Sequence, residues 1–93
     1  MRYFLIRDDL ETNHVIAIHR VLDSALACFS GYITSGDFED HLELVEIDTN
    51  ERGIATHDAV IVSYSKRLRS ASCVRPDILE FLNKMRSQLR AGT

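Results

Sequence analysis

HVIAIHRVLDSALACFSGYITSG, residues 14–36, changes its hydrophobic period partway through. HVIAIH (14–19) is a short apolar run rich in β-branched residues, bounded by polar residues. It reads as a strand. Both of its faces are apolar, with Ile16 and Ile18 on one and Val15 and Ala17 on the other. A strand apolar on both faces is expected at the centre of a sheet or covered on both sides. From Leu22 the apolar positions follow helical spacing: Leu22, Ala25, Leu26, Phe29 and Ile33 form one stripe, widened by Cys28 and Tyr32. Gly36 suits a left-handed helix cap. The segment therefore predicts strand, then a helix over 22–35.

The flanks repeat the strand signal. RYFLIR (2–7) reads as a strand, and the turn residues of DDLETN (8–13) make it an antiparallel hairpin partner for 14–19. HLELVEID (41–48) is a third strand. Leu42 and Leu44 share one face while Val45 and Ile47 take the other, which predicts a bulge or burial on both faces. AVIVSYS (59–65), with Ile54 as a backward extension, is a fourth strand in a hairpin with the third. Ser70, Ala71 and Ser72 then read as a connecting loop. Pro76 and Asp77 suit the first turn of a second helix, about 76–90, with Ile78, Phe81, Leu82, Met85 and Leu89 on one stripe. The expected fold is α+β: one two-layer domain over residues 1–93, ββαββα in order, an antiparallel sheet with two helices.

The chain has 93 residues, 45% of them hydrophobic and 27% charged, which is enough for one real core and argues against a disordered tail. Two cysteines are too few for a disulfide framework. No basic-then-apolar leader and no apolar run near ~20 residues is visible, so the expectation is a soluble, cytoplasmic protein without a membrane partner.

Chemistry-bearing motifs are absent. His14, His19, His41, His57, Cys28 and Cys73 show no zinc-type spacing. His14 and His19 differ by an odd number, which on a flat strand sets them on opposite faces. Cys73 lies between Arg69 and Arg75, a setting that favours a thiolate, whereas Cys28 reads as core. There is no GxSxG, no GxGxxG and no phosphate-loop motif. No catalytic residue, metal or cofactor is assigned, and the chain is not expected to be an enzyme.

Charge is the unusual feature. The formal net charge is −3. Residues 1–65 carry four arginines against twelve acids, and residues 66–93 seven cations against two acids. Such asymmetry points to electrostatic partners or to attraction within the fold. The basic candidates are Lys66, Arg67, Arg69 and Arg75, followed by a strip of Leu79, Arg86 and Arg90 on helix 76–90. Arginine beside apolar surface is enriched at protein interfaces. The acidic candidates are Glu43 and Glu46 on the third strand, which could meet a basic partner or imitate phosphate. The back face of the first helix (Asp23, Ser24, Ala27, Ser30, Gly31, Thr34) is small and nearly uncharged, a face on which a partner or a second copy could pack.

These features favour a small non-enzymatic binding or regulatory protein that acts by protein–protein interaction. Small acidic chains without catalytic motifs are common among phage and mobile-element inhibitors of host complexes, an association of class only. The alternative is nucleic-acid binding through 66–75 and the arginines of helix 76–90. The acidic balance weighs against it. Stacking on Tyr3, Phe4, Tyr32 and Tyr64 would require those rings to face outward.

Overall fold

In a computed structural model, the described residues are 1–8, 14–73 and 83, without the side chains of Ser70 and Cys73. The elements run β1 (Arg2–Asp8), β2 (His14–His19), α1 (Leu22–Ser35), β3 (His41–Thr49), β4 (Ala55–Ser65) and β5 (Ser70–Cys73). The five strands form one antiparallel sheet in the order β2-β1-β3-β4-β5. The architecture is a compact antiparallel sheet with α1 against it. The expected second helix, 76–90, falls outside the described residues except at Asn83, so the ββαββα order extends only through its first five elements. A fifth strand is added after them.

The β3–β4 hairpin and the end of α1 have local causes. Asn50 sets the β3–β4 turn: its Oδ1 accepts hydrogen bonds from the backbone N–H of Arg52 (2.9 Å) and Ile54 (3.0 Å). Gly53 supplies the positive φ, 78°, that the turn requires. Helix α1 ends at Gly36 (φ 72°), whose N–H bonds the carbonyl of Tyr32 at 2.9 Å. No side chain caps its start at Val21, and Asp23 in the first turn complements the dipole.

Two bulges give the sheet its sidedness. Between Ile6↔Ala17 and Arg7↔Val15, Ile16 is an extra residue in β2; between Leu44↔Val62 and Val45↔Val60, Ile61 is an extra residue in β4. Each bulge sends two successive apolar residues, Ile16–Ala17 and Ile61–Val62, into the core under α1. That core holds Phe4, Ile6, Ala25, Phe29, Ile33, Phe38, Leu42, Leu44 and Tyr64. The parity change expected in β3 thus has a different origin. β3 pairs regularly with β1, and the bulge lies in its partner β4. β3 is buried on both faces, with Leu42 and Leu44 towards α1 and Val45, fully buried, on the second face beside Leu5 and Val60.

Three expectations are corrected. β2 is an edge strand of the sheet, with Val15 and Ile18 exposed. The bulge at Ile16 puts Val15 and Ile18 on the second face and Ile16 and Ala17 under α1. It also brings His14 and His19 to the same face, opposite Asp8 and Phe4. Ser70–Ser72, expected as a connecting loop, begin β5: Ser65↔Ser70, Tyr64↔Ala71 and Ser63↔Ser72 are paired, with Ser63 and Ser72 hydroxyls 2.9 Å apart. Serine and alanine are weak strand formers, so the pairing with β4 and the burial of Ala71 beside Tyr64 override local preference.

Candidate functional site

The β4–β5 hairpin projects a four-residue tip, Lys66-Arg67-Leu68-Arg69. Four-residue hairpin loops are usually built around a type I turn. Here the Arg69 N–H reaches the Lys66 carbonyl at 3.3 Å, and the Leu68 N–H reaches Ser65 Oγ at 3.3 Å. Arg69 then takes a left-handed conformation, φ 49°, the only positive φ outside glycine among the described residues. A side chain there costs about 1–2 kcal/mol relative to the right-handed region. Arg69→Gly should therefore stabilise the fold by up to ~1 kcal/mol, read as a raised denaturation midpoint, while removing one of the tip's charges.

The segment that leaves α1 holds the tip in place. Asp40 accepts the Lys66 N–H through its carbonyl at 2.6 Å and the Arg67 N–H through Oδ1 at 2.9 Å. Lys66 does not face solvent. Its ammonium donates to the carbonyls of Gly36 (2.7 Å) and Phe38 (2.5 Å) and sits 4.5 Å from the centroid of the Phe38 ring. Phe38 in turn meets Tyr64 edge to face at 5.9 Å. Lys66 thus caps the C-terminal end of α1 from another element, where the dipole favours a cation. Lys66→Met keeps the aliphatic stem and loses the charge-assisted bonds. It should lower stability by about 1–2 kcal/mol in urea denaturation.

The basic segment therefore divides by role. Lys66 is bound to the protein's own carbonyls. Arg67, Leu68 and Arg69 are exposed, Leu68 at 71%. Arg75, Leu79, Arg86 and Arg90 lie outside the described residues. The acidic candidates do not form one surface. Glu43 is buried on the second face, 3.8 Å from Arg7. Glu46 points to the α1 side, its side chain 12% exposed and 2.8 Å from Arg2, which also pairs with Asp48 at 3.1 Å. Both glutamates answer arginines of β1, so much of the acid of β3 is matched inside the fold.

Of the rings considered for stacking, Phe4 and Tyr64 are core. Tyr3 is half-buried, with the Arg20 guanidinium 4.9 Å from its centroid. The small back face of α1 is largely exposed, and a Cβ at Gly31 would meet nothing within 4 Å. Among the described residues, no three His, Cys, Asp or Glu side chains gather as metal ligands, and no helix is long and apolar enough to cross a membrane.

Sequence reasoning located the exposed arginines but missed Asp40 as their anchor and Lys66 as a helix cap. Neither has a local signature, because both contacts span more than twenty residues of chain. The site is thus an exposed Arg-Leu-Arg tip tied to Asp40 by two backbone N–H donors. Comparison with protein-family models, with curated proteins and with solved structures finds no match for this chain, so geometry alone carries the functional reading.

Proposed function

We propose that the chain is a small non-enzymatic binding protein that engages another protein through the tip Arg67-Leu68-Arg69. The observation that carries this reading is the conformation of the tip: an exposed leucine between two exposed arginines, with Arg69 left-handed and the preceding turn tied to Asp40. Rigid mounting reduces the ordering cost of association. Arginine with an apolar neighbour suits an acidic protein surface that has a shallow apolar pocket. A regulatory role in occluding a site on a larger complex fits this size and chemistry.

Affinity capture with wild-type chain and with Arg67→Glu/Arg69→Glu tests the proposal. The partner should be lost from the charge-reversed chain, with affinity down by roughly 100-fold. Leu68→Ser separates the classes of partner. A protein partner should bind at least ~10-fold more weakly, whereas nucleic acid held by phosphate contacts would bind Leu68→Ser unchanged and would be released by nuclease and by salt. Capture that survives charge reversal overturns the reading.

The second helix belongs to the same proposal. Asn83, the described residue of 76–90, is helical and exposed, and it lies on the side of the helical wheel away from Ile78, Phe81, Leu82, Met85 and Leu89. Phe81→Asp should lower the denaturation midpoint of the whole domain. An unchanged midpoint would overturn the second helix.

A further inference from the structure

We propose that β2 is a self-association edge, and that two copies of the chain join β2 to β2 in antiparallel fashion across a two-fold axis to make one continuous ten-stranded sheet. Among the described residues β2 has a strand neighbour on its β1 side only. An outer strand is a template for another chain unless lysine, proline, inward charges or a short length blunt it. His14–His19 holds no lysine, proline or acid and runs for six residues. Its exposed residues are His14 and the apolar Val15 (41%) and Ile18 (63%).

The occupant is specified by the strand's own symmetry. HVIAIH reads nearly the same in both directions. Antiparallel pairing about its centre sets Val15 opposite the second copy's Ile18, Ile16 opposite Ala17 and His14 opposite His19. Opposed residues in an antiparallel pair must share a face. In a flat strand this register would violate that rule, because opposed positions differ by an odd number. The bulge at Ile16 removes the conflict: Val15 and Ile18 lie on the second face, and Ile16 and Ala17 under α1. A bulge that would otherwise turn an edge away here makes the edge self-complementary.

Charge agrees with the same register. Asp8 ends β1 opposite His14, Asp9 and Glu11 follow it in the sequence, and Arg20 follows β2. Two-fold antiparallel pairing sets each copy's Arg20 towards the start of the other's β2, the end at which Asp8 stands. A parallel arrangement would set acid beside acid. A C2 contact of this kind is closed, so it stops at a dimer. Val15 and Ile18 of both copies then form one apolar row on the second face, with Leu5 opposite Ile18 and Arg7 opposite Val15 on β1.

The test uses full-length chain in light scattering coupled to size exclusion, over a dilution series up to on the order of 1 mM, with amide exchange read at both ends of the series. The wild-type chain should pass from monomer to dimer, and amides of 14–19 should gain protection as it does. Ile18→Lys, at an exposed position, and Val15→Lys should each weaken the dimer by at least ~100-fold through an unpaired charge in the apolar row. Circular dichroism confirms that they fold. Arg67→Glu/Arg69→Glu should leave the dimer intact, because the tip lies beyond the opposite edge of the sheet, so this proposal and the partner reading fail separately. A wild-type chain that stays monomeric, a dimer without added protection in 14–19, or a dimer that folded Ile18→Lys leaves unchanged would each overturn it. The exchange result on wild-type chain decides the matter even if neither lysine variant folds.

Discussion

Phe29→Ala should lower the unfolding free energy by about 3–5 kcal/mol. Phe29 is fully buried in the middle of α1, in one cluster with Phe4 and Ile6 of β1 and Leu42 and Leu44 of β3. It is the largest of the fully buried side chains among the described residues. Truncation removes its transfer free energy and leaves a cavity that neighbours fixed in sheet pairing can fill only in part. Native domains are stable by roughly 5–15 kcal/mol, so the loss is a large share of the total. Urea denaturation should show a much lower midpoint with a similar slope. Gly31→Ala, two residues on and facing open space, is the control. It should raise stability by up to ~1 kcal/mol, because alanine is the better helix former and meets nothing. A small loss at Phe29 would mean that α1 is loosely docked.

Residues 14–36 show where sequence is legible and where it is not. The helix bounds, the stripe that buries Ala25, Phe29 and Ile33, and the cap at Gly36 follow from local periodicity, and the structure has all three. The first two hairpins follow from turn chemistry and strand propensity. The position of β2 in the sheet does not. Val15, Ile16, Ala17 and Ile18 are all apolar, and only pairing with β1 reveals the extra residue that sorts them between faces. β5 was hidden for the same kind of reason, since Ser-Ala-Ser-Cys gains its strand conformation from β4. At the candidate site the clustering of cations was visible in sequence, but their separation into a cap (Lys66) and a surface (Arg67, Arg69) depends on Gly36, Phe38 and Asp40, which are distant in the chain. Non-local pairing is not written in any short window.

Glu43→Leu should cost about 2–4 kcal/mol by itself, and Arg7→Met should restore most of that loss when added to it. The two residues stand directly opposite each other on β3 and β1, on the face away from α1. Their side chains are only 11% and 19% exposed, the Arg7 Nη2 to Glu43 Oε1 distance is a long 3.8 Å, and Arg7 Nε is buried without a hydrogen-bond partner among the described residues. Removing the carboxylate leaves a largely desolvated guanidinium with no counter-charge. Removing the guanidinium alone leaves the reverse. Replacing both with apolar groups relieves the desolvation of each and the orphaned Nε, so the double variant should lie within about 1 kcal/mol of the wild type or above it. A double-mutant cycle from urea denaturation measures the coupling; additive losses would show that the pair does not interact. The pair then has a use other than stability. Leu42, Leu44 and Val45 flank Glu43 with apolar side chains, so a slip of β1 by one residue would place Arg7 against leucine. A charge that finds its partner in only one register excludes the slipped sheets that an all-apolar second face would permit. The double variant should therefore keep its stability while showing a second set of β1 and β3 amide resonances.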